Sequence, residues 1–73
     1  MTPFEIELIK TYAACDMNAV QTGKQLYVHK NTVVYHFENI RRKTGLDPRR
    51  FSNLVELLLR IEKGNTDETD AEI

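Results

Sequence analysis

The chain contains a single cysteine, Cys15, no tryptophan, three glycines and two prolines. One cysteine cannot close an intramolecular disulfide, so the fold must rest on its core, and a reducing, cytoplasmic setting is expected. No apolar run approaches the roughly 18 residues of a membrane span, and the N-terminus lacks the basic-then-apolar pattern of a signal peptide. The reading is therefore a soluble protein with no membrane partner. Few turn-formers, and no stretch in which Phe, Tyr or β-branched residues alternate over a strand's length, exclude a β architecture. There are no internal repeats.

Catalytic patterns are missing as well. There is no glycine-rich phosphate loop, no convergent pair of carboxylates and no nucleophile motif. His29 and His36 are seven apart, which separates them by two helical turns, and there is no CxxC or HxxxH pair, so no metal site is expected. Cys15 reads as inert and half-buried. The chain is not read as an enzyme, and no cofactor is expected.

What is present is a helical pattern in a chain of 73 residues, enough for one small core of marginal stability, about 3–5 kcal/mol. Four helices are predicted, at about 2–15, 18–26, 30–44 and 48–63. Thr2-Pro3-Phe4-Glu5 is a capping box with proline at the first helical position. Ile6, Ile9 and Ala13, with Tyr12, give the first helix a core face that Phe4 and Leu8 widen. Asp16-Met17-Asn18 is a turn, and Asn18 caps the second helix. Gly23 is costly inside a helix, by about 1 kcal/mol relative to Ala, and is explained by close packing against the third helix. The periodicity leaves Val20 undecided between core and solvent. Tyr27-Val28-His29 is a bend, with Val28 plugging the core and His29 capping the third helix. Val33, Phe37, Ile40 and Thr44 share that helix's inner face, and Gly45 ends it. The fourth helix is expected to start with Asp47 as N-cap, Pro48 at N1 and a Leu46–Phe51 staple, and to bury Phe51, Leu54, Leu58 and Ile61. Val55, Leu57 and Leu59 make it more apolar than one face requires.

Two helices joined by a tight bend form the sequence pattern of a helix-turn-helix, whose second helix enters the major groove of DNA. Charge is distributed accordingly. The formal net charge is −1, but residues 64–73 hold Asp67, Glu68, Asp70 and Glu72 and no base. That acidic tail reads as disordered, beyond a helix-turn-helix domain at 1–63. Within 24–50, Lys24, Lys30, Arg41, Arg42, Lys43, Arg49 and Arg50 face only Glu38 and Asp47. Local sign governs phosphate attraction, which is screened beyond about 8 Å at physiological salt. On the outer face of the third helix, Lys30, Asn31, Thr32, Val34 and Tyr35 are the candidates to meet bases: Asn pairs with adenine, Lys reaches guanine or phosphate, and Val touches a thymine methyl. Lys24, His29, Arg41, Arg42, Arg49 and Arg50 are candidates for the phosphates, with Lys43 beside them. Glu38 is expected to pair with Arg42 at i+4. His36 is expected as a packed, hydrogen-bonded side chain.

Asn18-Ala19, Thr22-Gly23, Leu26 through Val33, Tyr35, Ile40 and Thr44-Gly45-Leu46 together resemble the C-terminal helix-turn-helix domain of PucR-type bacterial regulators, which include the purine-catabolism and sugar-diacid regulators. The likeness covers about residues 6–62, and in architecture the chain also resembles Fis-type modules. It implies an all-α domain that binds double-stranded DNA at the end of a longer transcriptional regulator, downstream of sensory domains; because a single domain makes few contacts, a homodimer on paired half-sites is expected in that parent. It also implies that Met1 is an addition and the acidic tail the parent's end. Lys30 stands where the family has Arg, Gly23 where it usually has Ala, His36 where it has Arg, and Val34 at a frequently polar position. The alternative is a protein-interaction module on the same scaffold, using Tyr35 and Val34 against a protein.

Overall fold

The computed structural model describes residues 1–64, which form four helices and, among those residues, no strand: α1 (Pro3–Ala14), α2 (Ala19–Leu26), α3 (Lys30–Thr44) and α4 (Phe51–Glu62). The expected acidic tail lies, apart from Gly64, outside the described residues.

Local chemistry fixes the starts of the first three helices. The Thr2 hydroxyl accepts from Glu5 N at 3.1 Å while Glu5 Oε1 accepts from Thr2 N at 2.9 Å, completing the capping box. Asn18 Oδ1 accepts from Gln21 N at 3.0 Å. His29 caps α3 by an unusual route: its Nδ1 accepts the Asn31 N–H at 3.0 Å. That geometry leaves the ring proton on Nε2. Between α1 and α2 the chain turns through two consecutive left-handed residues, Asp16 and Met17.

The core is built on α1. Leu8, Ile9 and Tyr12 meet Val33, Phe37 and Ile40 of α3 and Leu54 and Leu57 of α4, and all are buried. The Tyr12 and Phe37 rings pack edge to face with centroids 4.6 Å apart. α1 packs against each of the other helices and α2 packs against α3, whereas α4 rests on α1 and not on α3. One face of α3 is therefore gripped and its opposite face is left outside.

Three features of the apolar reading are corrected. The fourth helix starts at Phe51 with Arg50 as N-cap and no side-chain cap. Asp47 instead makes a tight local turn, its carboxylate accepting from Arg49 N at 3.0 Å while its own N–H is held by Asn53 Oδ1 at 2.9 Å. Pro48 is buried in this turn rather than opening the helix. Second, there is no staple through Phe51, which is 71% exposed; the inner line of α4 runs through Leu54 and Leu57, and Leu58 and Ile61 are only half-buried. Phe51, Val55 and Leu59 form an outer apolar stripe. At 100° per residue Phe51 lies about 90° from the middle of the Leu54–Leu57 line, on the side of Val55 and Leu59. Third, on α1 the buried residues are Glu5, Leu8, Ile9 and Tyr12, with Ile6 and Ala13 at the margin. Val20 points to solvent.

Candidate nucleic-acid interface

α2, the Tyr27-Val28-His29 bend and α3 form the helix-turn-helix, and its angle is set by a close approach at Gly23. A Cβ at this position would lie 2.5 Å from the Val28 carbonyl oxygen and 3.4 Å from Lys30 N. The glycine thus admits the backbone of the bend itself, a closer partner than the α3 side chains. Val28 N donates back to Gly23 O at 2.8 Å, and Tyr27 ends α2 in the left-handed region at φ 61°. Val33, Phe37 and Ile40 have no exposed surface, so α3 is held by one side along its length.

The expected reading residues emerge from the other side. Lys30 and Asn31 occupy the first turn and are exposed, and Tyr35 follows one turn later with its ring mostly in solvent. Thr32 and Val34 flank this line half-buried. The exposed line runs on to Arg42, and Lys24 is exposed on α2. His29 is exposed, but its Nδ1 is committed to the cap, which leaves only Nε2–H for a phosphate.

The expected cation cluster divides in two. Lys24, Lys30, Arg42 and Arg50 have no acidic partner among the described residues; Arg42 hydrogen-bonds the Asn39 amide oxygen. The others are engaged. Glu38 does not pair with Arg42. Its Oε1 accepts from Arg41 Nη2 at 2.8 Å and Nε at 3.2 Å, and its Oε2 accepts from Arg49 Nη2 at 2.5 Å. The Arg49 guanidinium also donates through Nε to Asp47 at 3.2 Å. Arg49, from the α3–α4 loop, thus shares the carboxylate with Arg41, while Arg42 is taken up by Asn39. The two guanidinium donors hold the Glu38 carboxyl below the ordinary carboxylate value. For Asp47, burial acts upward, but the Arg49 backbone N–H and guanidinium outweigh it and the net shift is downward. The two carboxylates in turn raise Arg49 further.

Lys43 is turned away from this face. Its Nζ donates to Glu5 Oε1 at 2.7 Å, tying the end of α3 to the start of α1. His36 is packed as expected, its ring 4.9 Å from that of Phe4 and 5.4 Å from that of Tyr35, but it is not hydrogen-bonded at Nδ1, which is buried with no partner among the described residues.

The sequence reading missed Tyr27. Read as part of the bend, it is 94% exposed, an aromatic standing at the apex of the helix-turn-helix. Its neighbours at i±4 say nothing about this, because the left-handed turn takes it off the helical register; a bulky residue at a C-cap where glycine is usual was the available signal.

The family description "PucR C-terminal helix-turn-helix domain" matches residues 6–62, and the chain belongs to that family. No curated protein and no solved structure matches the chain.

Proposed function

We propose that this member of the PucR C-terminal helix-turn-helix family binds double-stranded DNA sequence-specifically and serves transcription regulation rather than catalysis. The observation that carries the reading is the division of α3. Val33, Phe37 and Ile40 are sealed in the core, while Lys30, Asn31 and Tyr35 stand exposed in its first turns, where a recognition helix meets base edges. In this reading Asn31 pairs with a base and Lys30 and Tyr35 flank it. Val34 and Thr32 make the closer apolar and hydroxyl contacts. Lys24, His29, Arg42 and Arg50 hold phosphates. The binding unit is residues 1–63. One recognition helix makes few contacts, so tight binding requires two copies on paired half-sites, brought together in a longer parent whose upstream domains sense a signal.

A specific observation favours a second reading, a protein-interaction module. Arg41, Lys43 and Arg49 already carry acid partners, and Phe51, Val55 and Leu59 offer an apolar stripe on α4. Amide chemical-shift mapping with a duplex separates the two. DNA binding moves Lys30–Tyr35 and Lys24. Shifts that leave α3 untouched reject it.

A further inference from the structure

The Glu38 carboxylate lies on α3 three residues beyond Tyr35 and accepts from two arginines. Two guanidinium groups from different segments, one from the last turn of α3 and one from the loop before α4, converge on its two oxygens. Arg41 presents both Nε and Nη2 to a single oxygen, and Arg49 reaches the other while resting on Asp47. Convergent donors on an oxyanion are the arrangement by which arginine captures phosphate. Together Glu38, Asp47, Arg41 and Arg49 cancel in charge. Two of the six expected phosphate-binding residues, Arg41 and Arg49, are thereby neutralised in the free domain. The Glu38 side chain is half-exposed and lies outside the buried core cluster.

We propose that Glu38 is an internal stand-in for a DNA phosphate. It holds Arg41 and Arg49 converged and ready, and binding exchanges the carboxylate for a phosphate oxygen at those guanidinium groups. Glu38 thereby acts as a brake on DNA affinity and lowers its salt sensitivity. The inference rests on the DNA-binding reading above and assigns Glu38 a part in it: a positioning residue that acts through two arginines.

The test compares wild type, Glu38→Gln and Glu56→Gln in duplex titrations at several salt concentrations. Glu56 pairs with Arg60 on α4, a helix that does not pack on α3, so Glu56→Gln makes the same change in net charge away from the site. Freeing one phosphate contact adds about 0.9 to the magnitude of the log–log salt slope. With equal affinities at 1 M salt, that corresponds to about eight-fold tighter binding than wild type at 0.1 M. Glu38→Gln is expected to show both changes and Glu56→Gln neither. Thermal melts check that each variant is folded, and Glu38→Asp, which keeps the charge on a shorter arm, is expected to stay near the wild-type slope. Equal effects from Glu38→Gln and Glu56→Gln overturn the inference, leaving only net charge. Weaker binding by Glu38→Gln at an unchanged slope also overturns it, and assigns Glu38 to reading a cytosine amino group instead. Wild-type binding with no change in Glu38→Gln takes Glu38 off the interface. If neither wild type nor Glu38→Gln binds duplex at 50 mM salt, the DNA-binding reading itself fails, and this inference with it.

Discussion

The Lys43 ammonium donates to the Glu5 carboxylate at 2.7 Å across 38 residues of sequence, and Glu5 is 3% exposed. The same Glu5 oxygen takes the Thr2 N–H that opens α1. One carboxylate thus closes a helix start and clasps the end of the recognition helix to it. Burial pushes the Glu5 carboxyl up, but the Lys43 ammonium and the Thr2 N–H outweigh it and the net shift is downward. Removing Lys43 takes a charged donor from this buried carboxylate, which keeps the Thr2 N–H and the attraction of the N-terminal ammonium. Lys43→Ala is expected to cost about 1.5–3 kcal/mol of stability in urea unfolding, the usual range for losing a hydrogen bond to a charged group. Its effect on DNA affinity should be smaller than that of Arg42→Ala.

The same pair sets a pH dependence. A carboxyl whose folded value is lowered contributes stability that is present above its ordinary value of 4.5 and is lost as pH falls through the folded value. Asp47, lowered from 3.8, acts in the same direction. Stability is therefore expected to decline on acidification below about pH 4.5. The decline should be shallower in Lys43→Ala, because the stabilised carboxylate has lost its cation. Urea midpoints between pH 6 and pH 3 measure both slopes.

At Gly23 helix propensity and packing pull in opposite directions. Alanine gains about 1 kcal/mol as a helix former, but its Cβ would meet the Val28 carbonyl oxygen at 2.5 Å, a backbone atom that moves only if the bend moves. Overpacking of this kind typically costs about 1–3 kcal/mol. Gly23→Ala is expected to come out net destabilising, and its amide spectrum should change at Val28 through Asn31, where the bend sets the start of α3.

Tyr27 stands in the left-handed region at φ 61° and is almost fully exposed. An L-residue there costs about 1–2 kcal/mol, with no packing to offset it. Tyr27→Gly is expected to raise the melting temperature by a few degrees, corresponding to about 0.5–1 kcal/mol after the added freedom of glycine in the unfolded chain. If the ring meets the DNA backbone beside α3, the same variant binds duplex more weakly. A more stable variant with unchanged binding removes Tyr27 from the interface.

What was legible in the sequence was whatever short-range chemistry decides. Thr2 and Glu5, Asn18, His29 and Gly45 marked helix ends because each acts within a few residues. Val33, Phe37 and Ile40 marked a face because helical geometry spaces them. α4 was misplaced where two local signals competed: Asp47-Pro48 is as good a turn as it is a helix start, and Asn53, six residues on, settled it by holding the Asp47 N–H. The ion pairs were the least legible. Glu38 had Arg41 and Arg42 within one turn, and its second partner, Arg49, lies eleven residues away on another segment. Burial of Glu5 was hidden for the same reason: its partner lies 38 residues on.

The reading of α3 makes separable demands on two of its residues. Asn31→Ala is expected to relax sequence preference, losing about 1–3 kcal/mol of discrimination at one base position. Arg42→Ala is expected to weaken all duplexes alike and to reduce the salt slope by about one. Negligible effects from both variants place the binding surface elsewhere on the domain.

The most direct test of the central claim is titration of the labelled domain, alone and as a tethered dimer, with duplex DNA at 50 and 200 mM salt. Four phosphate contacts per copy, by Lys24, His29, Arg42 and Arg50, correspond to a loss of about a hundred-fold in affinity across that range. Steep weakening of this order is the result predicted here; no binding at 50 mM salt even by the tethered dimer, or binding indifferent to salt, contradicts it.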